Sequence, residues 1–254
     1  MNAISIHRYF KFGTTVRFLQ DVKTGFSVHG PGVVIANLDV LFREIEALPL
    51  PVTNRASAEL RTFTDTLRAL PEGTTLSADH AKELTQLISN LRMTLEAELK
   101  GSEAFVVAGK RLDTTKLLSD VGVLFAPGVF DALPETARYD FIEAGRCIAF
   151  ERPTAAAFHL LRGSEGVLRS LYCSFVKRDR IDTMLWGPMA QALQKHRKAK
   201  AHDSLLRNLD NIRVSFRNPT QHPDKIYDIQ EAQDLWGLCI EAVNRMTRVM
   251  GGGT

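Results

Sequence analysis

The stretch Ile229–Met250, IQEAQDLWGLCIEAVNRMTRVM, carries the clearest helical pattern in the chain. Its apolar side chains recur at alternating steps of three and four residues, from Ile229 through Trp236 and Cys239 to Met250. That spacing places them along one face of an α-helix. A helix with such a face packs inside a helical fold or against a second copy of the chain.

The same periodicity recurs through most of the sequence and predicts a mainly α protein. The aromatic and basic residues of 1–26 are typical of a helix with an aromatic face, or of a patch that stacks on nucleic acid. Further helices are predicted over residues 33–48, 57–70, 77–100, 135–150, 154–176 and 189–200. Another helix should end near Arg217, because Pro219 lacks a backbone amide donor and disfavours helix at the residue before it.

The pattern changes between residues 101 and 134. Phe105-Val106-Val107 is a short apolar run between two glycines, and residues 121–125 form another. Such runs are typical of strands or of extended segments. The chain is therefore predicted to comprise an N-terminal helical region (1–100) of unknown role, a connecting segment (101–134) with a short strand or extended stretch near 104–125, and a C-terminal helical domain (135–254). Residues 178–182 are read as a charged connection within that domain.

Composition narrows the class of protein. The 254 residues carry a net charge of +3 and contain no apolar run long enough for a membrane span, which needs about 20 residues. The first residues do not resemble an export signal, and three widely spaced cysteines favour free thiols in a reducing cytoplasm. Neither metal-ligand spacing nor a Gly-rich phosphate loop is found, so we expect no metal and no cofactor.

Chemistry is suggested by Arg217-Asn218-Pro219-Thr220-Gln221-His222. Cleavage of RNA without a metal requires a base for the 2′-hydroxyl proton, and histidine titrates in a suitable range. Negative charge develops on the phosphoryl oxygens, which an arginine can hold with a fork of donors. Asn218 could orient a side chain or contact the phosphate. The alternative is a helix-ending loop pinned by hydrogen bonds.

The spacing of that motif is weak evidence alone, since Arg152–His159 and Arg197–His202 are similarly spaced. Its context differs, because a helix leads into the motif and a long helix follows. Arg162, Glu165 and Arg169 also form a stripe at helical spacing. That stripe is either solvated and self-paired or lines a groove for an anionic ligand.

The motif resembles the signature of the HEPN superfamily, in which an arginine, a polar residue, a few further residues and a histidine form a ribonuclease motif. The resemblance extends to about 135–250, including residues 143–150, 153–162 and 165–169. It is closest to a group of uncharacterised bacterial HEPN-like proteins. Residues 1–100 resemble no family that we can name.

The resemblance implies an up-and-down helical bundle that forms a homodimer in which two motifs face each other. It implies metal-independent endoribonuclease activity of a toxin or an antiviral (phage) defence effector. Arg217 would then bind the scissile phosphate, His222 would be the acid or base, and Asn218 would be the polar residue of the motif. Arg162, Arg169 and Lys225 are candidate RNA contacts. The alternative is a non-catalytic HEPN-like module that binds RNA, a nucleotide or a protein partner. Separately, and from position alone, a protein partner or activator is expected to dock through the N-terminal region (1–100).

Overall fold

The computed structural model describes residues 4–176 and 184–252, which form helices and, within these ranges, no strand. The mainly α prediction is confirmed. The chain divides into two compact units, Met1–Phe105 and Val106–Thr254. The predicted charged connection at 178–182 lies outside the described residues.

The first unit is built from five helices among its described residues, and each buries an apolar face in a shared core. They are α1 (Ile6–Gln20), α2 (Val34–Ala47), α3 (Pro51–Ala56), α4 (Ala58–Arg68) and α5 (Ala78–Lys100). Ser77 caps α5, because its Oγ accepts a hydrogen bond from the amide of His80 at 3.0 Å.

The strand expected near residues 104–125 does not form. Phe105 and Val106 are 82 % and 86 % exposed, and residues 103–110 make no backbone ladder with any described neighbour. A strand needs a partner for its amides and carbonyls, and the nearest elements in the sequence are helices, whose backbone groups are already paired. The second apolar run instead forms a 3₁₀ helix at Val121–Leu124.

The helices of the second unit meet around one core. Its α-helices are α6 (Thr114–Ser119), α7 (Glu135–Ala149), α8 (Pro153–Phe175), α9 (Trp186–Lys195), α10 (Asp203–Ile212), α11 (Asn218–Thr220) and α12 (Ile229–Met250), with a further 3₁₀ turn at Ala199–His202. Residues 106–134 do not form a separate connection, since Leu117, Phe125 and Leu133 are buried in this core.

The core lies where α7 and α12 pack against α8. Gly163 of α8 allows a close approach to α7, since an added Cβ would lie 3.1 Å from the Cβ of Asp140. The apolar face of α12 is buried within the unit, with Trp236 2 % exposed and Cys239 fully buried. This face of α12 therefore packs inside the fold, which was the alternative to packing against a second copy of the chain.

The segment before the motif corrects a prediction. The helix does not end near Arg217: α10 continues through a π-helical turn at Arg213–Arg217 into α11, and Asn218 keeps helical dihedrals (φ −66°, ψ −51°). The wider turn inserts one residue per turn and so changes which face Arg217 occupies. Arg217, the last residue of this turn, therefore lies on a different helix face from the one that regular α-helical spacing predicts.

No helix among the described residues combines the length and the apolar character needed to cross a membrane.

Candidate functional site

Two clefts in the second unit meet at Arg162, Glu165 and Arg217. The first, which we call the His159 cleft, has a volume of about 400 Å³, and those three residues line it together with Phe158, His159 and Gln221. The second, the Arg169 cleft, has a volume of about 740 Å³ and adds Tyr139, Asp140 and Arg169. Both volumes are within the range of small-ligand sites.

Arg217 is positioned by a carboxylate. Its Nη2 lies 3.4 Å from Oε2 of Glu165, whose side chain is 17 % exposed. The other oxygen of Glu165 accepts a hydrogen bond from the amide of Trp186 at 2.9 Å, at the first residue of α9. A carboxylate is favoured at a helix N-terminus, where backbone amides lack partners. Glu165 therefore links Arg217 to the start of α9.

A second arginine, Arg162, is held by a bidentate pair. Its Nε and Nη2 donate to the two carboxylate oxygens of Asp140, with distances of 2.8 Å to Oδ2 and 2.5 Å to Oδ1. The Asp140 side chain is 4 % exposed, whereas that of Arg162 is 66 % exposed. The hydrogen bonds to Asp140 raise the pKa of the Arg162 guanidinium. Its charged head is therefore fixed but still open to the clefts.

The arginine–glutamate stripe of α8 lines clefts rather than pairing with itself. Arg162 binds Asp140, Glu165 binds Arg217, and Arg169 donates to the carbonyl of Met184 at 3.2 Å. Three arginines thus surround one pair of clefts, and three carboxylates lie among them when Glu135 is counted with Asp140 and Glu165. The stripe therefore lines a groove, and the use of that groove by an anionic ligand stays a prediction.

The remaining predicted residues lie outside both clefts. His222 is exposed, and its ring has no hydrogen-bond or ion-pair partner among the described residues. Asn218 is exposed too. Lys225 donates to Glu231 at 2.7 Å and lies over the ring of Tyr227, 4.4 Å from its centroid. Gln221, which precedes His222, lines the His159 cleft.

A buried pair of hydroxyls holds the turn of the motif. Thr220 Oγ1 donates to the carbonyl of Phe216 at 2.6 Å and lies 2.7 Å from the hydroxyl of Tyr227. The Tyr227 amide donates to Thr154 Oγ1 at 3.1 Å, which ties the turn to the start of α8. Burial raises the pKa of the Tyr227 phenol. The predicted alternative of a motif pinned by hydrogen bonds is therefore present, and it coexists with the clefts.

Within the described residues, no cluster of three or more His, Cys, Asp or Glu side chains is arranged to hold a metal ion. The three cysteines are free and differ in exposure, with Cys239 buried, Cys147 partly buried and Cys173 exposed. Burial raises the pKa of the Cys239 thiol to about 12, so this group is no thiolate nucleophile at neutral pH.

Neither protein-family models, nor curated protein sequences, nor solved structures give a match to this chain.

Sequence patterns singled out Glu165 as part of the stripe but missed Asp140 and the arginine partners of both carboxylates. Asp140 is in α7 and Glu165 in α8, and each reaches an arginine more than twenty residues away along the chain. One signal was available, since Asp140 stands on the otherwise apolar face of α7. A charged residue on a buried face usually has a partner.

Proposed function

We propose that this chain is a metal-independent endoribonuclease of HEPN type that cleaves RNA through the 2′-hydroxyl. The observation that carries the proposal is the position of Arg217, which lines both clefts beside Arg162 while His222 stands exposed just beyond Gln221. An arginine fork binds phosphate in a bidentate manner, and a free imidazole can move a proton. These are the two functions that phosphodiester transesterification requires.

The HEPN resemblance implies that two copies contribute to one site. Exposed apolar side chains on either side of the motif support a partner there, since Val214 is 53 % and Ile226 78 % exposed. A toxin or phage-defence role, in the cytoplasm of a bacterium, follows from the same resemblance. A protein partner or activator that docks on the N-terminal unit is part of this proposal.

A non-catalytic HEPN-like module that binds RNA, a nucleotide or a protein partner is the second candidate function. It is favoured by the carboxylates, because Glu165 and Asp140 already occupy Arg217 and Arg162. It is favoured also by His222, which lines neither cleft. Arg162 stays 66 % exposed beside its carboxylate, so it can still bind an anion without cleavage.

The deciding experiment is incubation of the purified protein with end-labelled single-stranded RNA in EDTA. We expect products that end in a 2′,3′-cyclic phosphate, no cleavage of the all-deoxy strand, and a loss of at least about a hundredfold in Arg217→Ala and in His222→Ala. Arg207→Ala and His7→Ala are matched controls, because Arg207 is a 73 % exposed arginine of α10 and His7 is an exposed histidine of the first unit.

Two results would decide against the nuclease. RNA that remains intact with the wild-type protein but is retained in a filter-binding assay would favour the binding module. Cleavage that persists in both Arg217→Ala and His222→Ala would place the activity at another site or in a contaminant.

A further inference from the structure

A second histidine lies where the chemistry would occur. His159 of α8 lines the same cleft as Arg162 and Arg217, and its side chain is 25 % exposed. His222, in contrast, lies outside the cleft of its own protomer. Of the two histidines, His159 is therefore the one that shares a cavity with the phosphate-binding arginine.

The hydrogen bond of His159 defines its tautomer. Nδ1 lies 2.8 Å from Oδ1 of Asp140. A carboxylate accepts but does not donate hydrogen bonds, so Nδ1 carries the proton. In the neutral ring, Nε2 then holds a lone pair, and this atom has no hydrogen-bond partner among the described residues. An imidazole oriented by a carboxylate at Nδ1, with Nε2 open, has the geometry of a general base.

Asp140 does not need His159 for its own hydrogen bonding. Arg162 already donates to both oxygens of this carboxylate, at 2.8 Å and 2.5 Å. The buried charge is thus compensated by a guanidinium, and the histidine is an additional partner. A purely structural role leaves the open Nε2 and its position in the cleft unexplained.

We propose that His159 is a proton-transfer residue of the cleft and that Asp140 is its positioning residue. The inference rests on the proposed RNA cleavage. With the scissile phosphate on Arg217, Nε2 of His159 takes the proton of the 2′-hydroxyl as the O2′–P bond forms. The P–O5′ bond breaks, and the departing O5′ takes its proton from the imidazolium form of His222. Because His222 lies outside the cleft of its own protomer, the second copy of the proposed homodimer supplies it. His159 gains one proton and His222 loses one, so atoms and charges balance.

His159→Asn is the direct test, because the amide of asparagine keeps a donor for Asp140 but offers no base. In EDTA, we expect kcat for RNA cleavage to fall by about 10²- to 10³-fold with KM changed by less than threefold. His7→Asn is the control. Uridine 3′-(4-nitrophenyl phosphate) distinguishes the two histidines, since its leaving group needs no proton. On this substrate the cleavage rate of His222→Ala should recover to within about tenfold of the wild-type rate, whereas that of His159→Asn should stay low.

If His159→Asn fails to fold, chemical modification of the wild-type protein provides a second test. Diethyl pyrocarbonate should modify Nε2 of His159 in parallel with the loss of cleavage, and a non-cleavable 2′-deoxy strand should protect it. Full activity in folded His159→Asn, or in wild type with His159 modified, would overturn this inference and leave the nuclease proposal intact. No cleavage by the wild type in EDTA would overturn both.

Discussion

Removal of a single buried hydroxyl should measurably destabilise the second unit. The residue is Tyr227, which is 2 % exposed and whose hydroxyl lies 2.7 Å from Thr220 Oγ1 and 3.1 Å from the carbonyl of Phe216. The ring also stacks on Phe216, with centroids 6.5 Å apart. Tyr227→Phe removes the hydroxyl and retains the ring, so the packing contacts are unchanged.

The expected loss follows from the groups left behind. Removing one partner of a buried hydrogen bond costs about 1–3 kcal/mol when the other partner is left unsatisfied. Here Thr220 still donates to the carbonyl of Phe216, at 2.6 Å, so that acceptor keeps a partner. We therefore expect the lower end of the range, about 1 kcal/mol.

Urea unfolding followed by tryptophan fluorescence measures this loss. The two tryptophans of the chain, Trp186 and Trp236, are both buried in the second unit, so the signal reports on that unit. With an m-value of about 2 kcal/mol/M, the midpoint should fall by about 0.5 M. Tyr139→Phe is the control, because Tyr139 is 55 % exposed and its change should stay within about 0.5 kcal/mol.

The pH dependence gives an independent check. Burial raises the pKa of Tyr227 in the folded state, so the unfolded chain ionises first as the pH rises. The stability that Tyr227 contributes is therefore present below about pH 10 and is lost above it, and the difference between wild type and Tyr227→Phe should shrink there. A loss under 0.3 kcal/mol at pH 7, or an equal loss in Tyr139→Phe, would refute the reasoning.

Two further predictions concern packing and charge. Gly145→Ala should destabilise the second unit by about 1–3 kcal/mol in the same assay, because the new Cβ would lie 2.8 Å from the carbonyl oxygen of Leu117. Gly166→Ala, whose Cβ would meet nothing nearer than 3.8 Å, should be neutral or stabilising; the reverse order would contradict the packing argument. The hydrogen bond from Lys225 lowers the pKa of Glu231 in the folded protein. The ionised Glu231 therefore contributes to the free energy of unfolding above its unfolded pKa of about 4.5, and this contribution is lost as the pH falls through the folded pKa. In an acid titration followed by tryptophan fluorescence, Glu231→Gln should lose less stability than the wild type as the pH falls. The same pH profile in both proteins would contradict a stabilising role for the Glu231 charge.

Helix positions were predictable because they depend on local periodicity. The interval Ile229–Met250 is helical over its whole length, and Asp228 and Glu231 form a capping box at its start. The continuation of the helix beyond Arg217 was not predictable in this way. A π-helical turn accommodates Pro219, and the hydroxyls of Thr220 and Tyr227 both bind the Phe216 carbonyl. Local rules for proline do not include the hydroxyl of Tyr227, which reaches the Phe216 carbonyl from beyond the turn.

In the candidate site too, some features were predictable from the local sequence and others depend on tertiary contacts. Arg217, Arg162 and Arg169 were selected from residue type and spacing, and the structure brings all three to one pair of clefts. The carboxylate partners of Arg162 and Arg217 depend on how α7, α8 and α10 pack, which no local pattern specifies. In the sequence, His159 belongs only to the weak Arg152–His159 spacing match, although it lies in the cleft with Arg217.

The sequence by itself determined a mainly α protein, the register of its apolar helix faces and the residue types available for phosphate chemistry. These depend on periodicity and on side-chain chemistry, which are local properties. Only the tertiary structure decided which histidine faces the arginine cleft, and that Asp140 and Glu165 hold the arginines there. The reason is that a site forms from side chains on separate helices, and their meeting depends on the packing of the whole second unit.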